Sequence, residues 1–475
     1  MYQRRLLGYL TAAAAALAGC AAGPDYVRPP VEAPAAYKEA GPWKMAEPGQ
    51  IDSAHPWWTL YGDAALDGLI DEANQANQSI RQAEAQYRAA RSIADAARAG
   101  FYPTIDANAT AGRARTNSNS IVEVGNKTSV SADASWEPDL WGSVRRSLEA
   151  GKAGAQASGA DLAAARLSVQ AELAQDYFQL RATDEQLELF AHTVEAYTRA
   201  LQLTQHQYTA GVVLRSDVAL ADTQLQTADA QRIDLQAQRA QLEHAIAILL
   251  GKSPAKFSLA PAVATTRVPV IPTGVPSDLL ERRPDIAGAE RRAAQANANI
   301  GVARAAYFPT LQLGASGGYN SSRLAPLLDA PNRVWSLGAA LAATLFDGGL
   351  RAARDAQAVA AYDAAVAQYK QTVLGGFQEV EDNLATLRVL DQEATVQERA
   401  VQSAQLSERL ALSQYRGGTA TYLAVVTAQT LALSNQRTLV LLHGRQLVAS
   451  VAPIKATGGG WETSPDLARA TAQAH

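Results

Sequence analysis

The 475-residue chain contains one cysteine, two methionines and only 6% aromatic residues. A single cysteine excludes any disulfide within the chain, and two methionines leave no tract for soft metal ions. The six histidines stand apart at 55, 192, 206, 244, 443 and 475, with no metal-holding spacing such as His-Glu-x-x-His. Charge is close to balanced, 42 Lys and Arg against 46 Asp and Glu, a net −4 that offers no basic footprint for nucleic acid. Beyond the first twenty residues no run is apolar enough for a transmembrane helix, which needs about 20 residues. Gly251-Lys252-Ser253 has the form of the end of a phosphate-binding loop, but position 246 is not the glycine that loop requires. The paired glycines at 348–349 and 417–418 follow no strand in a βαβ setting. Catalysis, a cofactor and a bound metal are therefore not expected. Asp347, Glu379, Glu381 and Asp382 read as decoration of helix ends and faces.

What the chain does have is a duplication. Phe101-Tyr102-Pro103-Thr104-Ile105 returns as Tyr307-Phe308-Pro309-Thr310-Leu311, 206 residues later (309 − 103). At the same offset Ala83-Glu84 matches Ala289-Glu290, Gly142 and Arg145 match Gly348 and Arg351, and Asp176 matches Asp382. Tyr208-Thr209-Ala210-Gly211 pairs with Tyr415-Arg416-Gly417-Gly418 at 207. The interval exceeds the roughly 20–50 residues of a solenoid unit. One domain-sized unit is written twice.

Arg4 and Arg5 precede a short apolar stretch, Leu6 to Leu17, and then Leu17-Ala18-Gly19-Cys20. A basic start, about a dozen apolar residues and small residues before a cut describe a secretory signal. Leu-Ala-Gly-Cys is similar to the bacterial lipobox, cleaved before a cysteine that then carries lipid; the alternative is an ordinary signal peptide that contains Cys20. A lone thiol in an oxidising compartment has no disulfide partner, and lipidation gives Cys20 a role. Ala21 after it implies, in lipoproteins, sorting to the outer membrane. Acyl chains contribute about 0.8 kcal/mol per buried CH₂, so several anchor firmly. Residues 21–56, with seven prolines, read as an extended tether, and the tail beyond Gly458-Gly459-Gly460 reads as loosely packed.

Between these ends the pattern is mostly helical: 63–99, then 143–208 and 350–415 almost without a breaker, each of the latter approaching 100 Å at about 1.5 Å per residue. Return helices follow at 217–250 and 422–451, after Gly211-Val212-Val213 and Gly417-Gly418-Thr419. Four segments change to a period of two, 104–112, 129–136, 311–319 and 334–345, the last with Trp335, Leu337, Ala339, Leu341 and Leu345 on one face. That is the length of a transmembrane strand, although a half-buried soluble sheet has the same alternation. Trp136, Trp335 and the aromatic pairs at 101–102 and 307–308 then belong near membrane interfaces. The stretches 116–127 and 320–333 read as external loops. Four strands cannot close a barrel in lipid, where each unpaired backbone group costs several kcal/mol. Three chains pooling their strands give twelve.

The chain resembles the TolC-like outer-membrane factors, in the lipoprotein branch that serves resistance-nodulation-division efflux pumps. The residues that carry the resemblance are Val275-Pro276-Ser277-Asp278-Leu279-Leu280-Glu281-Arg282-Arg283-Pro284-Asp285-Ile286 with Ala289-Glu290, Trp136-Glu137-Pro138-Asp139-Leu140-Trp141-Gly142, Leu345-Phe346-Asp347-Gly348-Gly349, the two Tyr-x-x-Gly tips and Pro56-Trp57-Trp58. It implies an α+β membrane protein: a homotrimer with four transmembrane β-strands per chain in a 12-stranded outer-membrane barrel, continued by a long α-helical periplasmic barrel. Its partners would be outer-membrane lipid, a periplasmic adaptor and an inner-membrane pump, and exported small molecules its cargo, with no nucleic acid. Relatives close at the periplasmic end, where they often read Tyr-Leu-x-x-Leu-Asp-Ala-Gln-Arg. Here the stretch begins Tyr422-Leu423, and the acidic and arginine positions are Thr427 and Thr430, so a charged gate is in doubt. A ring of Leu423 side chains would close by packing and dewetting.

Gly211 and Gly418 are expected at the helix reversals, where a left-handed residue is needed. Val212, Val213 and Thr419 are the expected adaptor contacts. Pro103 and Pro309 mark the barrel boundary. Domains follow as a signal peptide (1–19), a lipidated tether (20–62), a first repeat (63–260) with a β-hairpin about 102–137 and helical hairpin 141–250, a linker (261–275), a second repeat (276–455) with a β-hairpin about 308–346 and helical hairpin 350–452, and a flexible tail (456–475). The alternatives are a type I secretion exit duct and, in a different class, a periplasmic coiled-coil adaptor or structural lipoprotein.

Overall fold

The computed structural model describes residues 21–39, 56–118, 121–263, 268–269 and 282–461. Cys20, the signal peptide, the Val275–Glu281 part of the motif and residues 462–475 lie outside them. Each half of the chain runs helix, β-hairpin, long helix, return helix. In the first half these are α1 (Ala64–Ala76) and α2 (Gln78–Ala99), β1 (Thr104–Ser118), β2 (Ile121–Trp136), α3 (Ser143–Thr209) and α4 (Arg215–Leu249). In the second they are α5 (Pro284–Ala305), β3 (Thr310–Ser321), β4 (Arg333–Ala342), α6 (Leu350–Arg416) and α7 (Tyr422–Ala456). The halves match in length: α3 and α6 have 67 residues each, α4 and α7 have 35 each.

The helical stretch 63–99 is two helices. Asn77 ends one and caps the next: its side-chain oxygen accepts from the Ile80 N–H at 3.1 Å, and its amide donates to the Leu249 carbonyl at 2.8 Å. Both long helices begin with one device. Asp139 accepts from the Val144 and Arg145 N–H groups and the Arg145 guanidinium, and Asp347 accepts from the Gly349 and Arg351 N–H groups and the Arg351 guanidinium. A carboxylate at a helix N-terminus satisfies orphan donors and suits the dipole.

The four strands form one antiparallel sheet in the order β1-β2-β3-β4. The expected loop at 116–127 is instead strand: β1 runs to Ser118 and β2 starts at Ile121, with Thr116 paired to Glu123 and Arg115 to Val124. Backbone ladder bonds hold this extension, so it needs no apolar alternation. At the other edge β4 ends at Ala342, leaving Leu345 outside the strand.

The helices pack as two antiparallel hairpins, α3 on α4 and α6 on α7, with α2 and α5 lying along α3 and α5 also along α6. The main core lies where they meet, built from Trp57, Tyr61, Leu66, Ile70, Phe178, Ile246 and Val451. A second joins Ile286, Tyr369, Val373 and Val380 to Tyr37. Tyr37 belongs to the N-terminal segment, which is fastened to the body along its described length. The Ala22 N–H donates to the Trp141 carbonyl (2.9 Å), Arg146 pairs with Asp25 (2.8 Å), and the Lys38 and Glu39 N–H groups both donate to the Glu381 carboxylate. The Tyr26 hydroxyl donates to Glu290 at 2.6 Å. Burial and the Glu290 carboxylate hold that phenol far above its ordinary range, so it remains a donor. Gly23 has φ +91°, and a Cβ there would overlap the Cα of Gly301. Glu379 and Glu381 therefore do more than decorate a face: Glu379 binds Arg283 of the motif, and Glu381 holds this strap.

Candidate functional site

The sheet has two unlike faces, and the register sorts them. One face carries Ile105, Ala107 and Ala109 of β1, Val130, Ala132, Ala134 and Trp136 of β2, Leu311, Leu313 and Ala315 of β3, and Trp335, Leu337, Ala339 and Leu341 of β4. Most of these side chains are exposed, Ile105 at 73% and Trp335 at 75%, while Ala134, Leu311, Leu313 and Ala315 are half-buried. The other face is polar and knit across strands. Thr104 bonds Ser135 at 2.9 Å, Thr110 bonds Ser129 at 2.6 Å, and the Asn108 amide donates to Asp133 at 2.9 Å. Both outer edges, on β1 and β4, lack a strand partner among the described residues. An exposed apolar face with two open edges cannot stand in water or in lipid as one copy.

Helix hands over to strand at the two prolines, and aromatic side chains brace both points. Pro103 directly precedes β1, where the Trp136 indole donates to the Phe101 carbonyl at 3.1 Å. Pro309 directly precedes β3; its carbonyl accepts from the Trp141 indole at 2.6 Å, and Phe308 stacks on Trp141 with centroids 4.8 Å apart. Ala21 and Ala22 lie beside this second brace, at the junction of sheet and helices.

The far ends of the hairpins are the two reversals. Gly211 and Gly418 both have φ +73°. The Val212 N–H donates to the Gln207 carbonyl and the Thr419 N–H to the Gln414 carbonyl, each at 2.9 Å. This is the left-handed termination that glycine admits without strain. Val212 is 71% exposed, Val213 is half-buried, and Thr419 is exposed. Leu214, which sequence reasoning passed over, is as exposed as Val212.

At the start of α7 the predicted residues separate. Tyr422 is 5% exposed and packs with Ala221 and Val425 in a core joining the two hairpins, whereas Leu423 is 56% exposed. The Thr427 hydroxyl donates to the Leu423 carbonyl at 2.9 Å. Thr430 lines a cavity of about 390 Å³ with Phe190, Tyr197, Gln224, Val426 and Arg437.

Sequence reasoning also missed what ties the hairpins together. The Tyr415 hydroxyl donates to Gln207 at 2.9 Å, its ring lies 5.4 Å from that of Tyr422, and the Gln224 amide donates to Gln429 at 3.3 Å. Burial, with Tyr415 and Asp217 nearby, holds the Tyr422 phenol above its ordinary value, against an opposing bond from Thr204. The Tyr415 and Tyr422 phenols of the clasp thus stay protonated, with the Asp217 side chain nearby. The clasp's one signal in the sequence is the second Tyr-x-x-Gly, whose counterpart Tyr208 is exposed.

Among the described residues no group of His, Cys, Asp and Glu could hold a metal ion, and no helix is long and apolar enough to cross a membrane. The chain matches the outer membrane efflux protein family over residues 69–252 and 275–459. It is 31% identical to the outer membrane protein OprJ of Pseudomonas aeruginosa, covering 95% of each chain. It is 30% identical to the probable efflux pump outer membrane protein TtgC of Pseudomonas putida, covering 94% of this chain and 93% of that one. Among solved structures it superposes on the outer-membrane channel OprN with a TM-score of 0.87 at 30% identity, covering 93% of this chain and all of that one.

Proposed function

The chain belongs to the outer membrane efflux protein family, and from that we propose that it is the outer-membrane exit duct of a tripartite efflux system. The observation that carries this reading is the sheet: apolar on one face, polar on the other, open at both edges, joined through Pro103 and Pro309 to α2 and α5, and running on after β2 and β4 into helices about 100 Å long. Three copies joined edge to edge close a 12-stranded barrel that turns its apolar face to lipid and its polar face to a water-filled lumen. The hairpins extend that lumen into the periplasm. Lipid on Cys20 would enter the bilayer at the junction, where the strap begins. Solutes pass without chemistry, so the protein is a conduit rather than an enzyme.

The gate lies at the start of α7. Leu423 from three copies would narrow the opening, and Thr427, its hydroxyl already bonded, and Thr430, exposed at the edge of a cavity, contribute no charge there. Gly211, Val212, Val213, Leu214, Gly418 and Thr419 form the rim that a periplasmic adaptor would meet, with an inner-membrane pump beyond it. Planar-bilayer recording of the purified protein tests the reading, together with its migration as a heat-resistant trimer from outer-membrane fractions. A non-conducting protein that fractionates with the inner membrane would be the coiled-coil adaptor instead.

A further inference from the structure

The end of the sheet far from the helices carries charge that conduction does not use. Two residues past Ala111, the apolar face of β1 presents Arg113 and then Arg115. On the opposite edge strand, two residues past Trp335, the same face presents Arg333, with Tyr319 beside it in register. All three arginines are exposed, and none forms an ion pair with the described residues. Of the carboxylate residues on β1 and β2, Asp106 and Asp133 stand on the polar face far from the arginines, and Glu123 holds the register position opposite Thr116, in the row that alternates with the one of Arg113 and Arg115.

Both arginine positions close an apolar band of equal height. Arg113 is eight residues from Ile105 and Arg333 eight from Leu341, which is roughly 26 Å of strand at about 3.3 Å per residue. At a strand tilt of roughly 40° that length gives about 20 Å of height, within the apolar band of about 25 Å on outer-membrane barrels.

We propose that Arg113, Arg115 and Arg333 form a cationic collar that binds the phosphate groups of outer-leaflet lipid. The inference rests on the barrel reading above. When copies join edge to edge, β1 of one adjoins β4 of the next, and the collar gathers at each seam. Like charges on adjoining strands repel, and an anion between them removes that cost. Guanidinium groups match phosphate oxygens two bonds at a time, and Tyr319 suits the interfacial depth. An aqueous cargo would meet the opposite, polar face, so the lipid is the occupant these arginines fit.

The test uses the full-length trimer in phosphatidylcholine nanodiscs containing lipid A, a bis-phosphorylated glycolipid, with bound lipid counted by native mass spectrometry. The wild type is expected to retain lipid A and to ignore its dephosphorylated form. R113Q/R115Q/R333Q is expected to bind on the order of 100-fold more weakly, since each basic group at a membrane surface contributes about a five-fold factor. R113K/R115K/R333K, which keeps charge but not the fork, should fall between. If the triple glutamine variant fails to form trimers, R113Q and R333Q alone should each show the roughly five-fold loss. Equal binding by all variants overturns the collar, as does full competition by inorganic phosphate, which would indicate a free-anion site. Conductance in bilayers of the same composition is measured alongside. Normal conductance without lipid selectivity defeats the collar alone, and absent conductance defeats the channel reading.

Discussion

Replacing Tyr415 with Phe removes one hydroxyl from the clasp and leaves its packing against Tyr422 in place. A single hydrogen bond contributes about 0.5–1.5 kcal/mol net. If the clasp exists only while the tips are together, losing about 1 kcal/mol per copy shifts each tip about five-fold toward opening. Three tips that part in concert would shift by about 3 kcal/mol, on the order of 100-fold. Single-channel recording reads this as open probability, and entry of an antibiotic too large for the closed pore reads it in cells. Gln207→Leu should match Tyr415→Phe, and the double variant should be no worse than either, because both remove one bond. An unchanged open probability in Tyr415→Phe, or additive effects in the double variant, would refute the reasoning.

Leu423→Ser should make the pore leakier to large solutes while thermal stability stays within about 0.5 kcal/mol of wild type, as an exposed position allows; unchanged conductance and uptake would remove Leu423 from the gate. Asp176 has its carboxyl pushed up to about 6 from 3.8 by burial and by Glu172. The folded state therefore holds that proton more tightly, and the stability tied to it is present below pH 4 and lost as pH rises through 6. Asp176→Asn should raise thermal stability at pH 7, by about 1 kcal/mol after discount for partial exposure, and lose the advantage at pH 4 in melting curves. Gly23→Ala meets a left-handed backbone costing about 1–2 kcal/mol and a steric overlap with Gly301. Trypsin should then cut after Lys38 faster than in wild type, and an unchanged digestion rate would mean that the strap is held elsewhere.

The long helices were legible because Ala and Leu recur almost without a breaker, and the strands because their side chains alternate with a period of two, with a proline between helix and strand ahead of β1 and β3. The extension of β1 past Arg113 was not legible. Asn, Ser and Thr there satisfy turn rules as well as strand rules, and only the opposite strand decides between them. The break at Asn77 depends on a carbonyl 172 residues away, and the strap on partners such as Glu290, 264 residues from Tyr26. Composition alone makes such a Pro-Ala segment a linker. At the start of α7, the family resemblance put Tyr422, Leu423, Thr427 and Thr430 on one short stretch. Which of them is buried depends on α4 packing beside α7, a contact between the two halves that neither repeat encodes by itself.

The equal lengths of the paired hairpins carry an evolutionary consequence. With 67 and 35 residues in each half, all the fingers of an assembled tube finish level. Adding one helical turn to a single hairpin would push alternate fingers out by about 5.4 Å. A rim so notched could not seat evenly against another ring of protein. Each insertion in one half of the gene thus calls for its twin in the other. Two copies free to diverge in nearly every residue are bound to keep the same length.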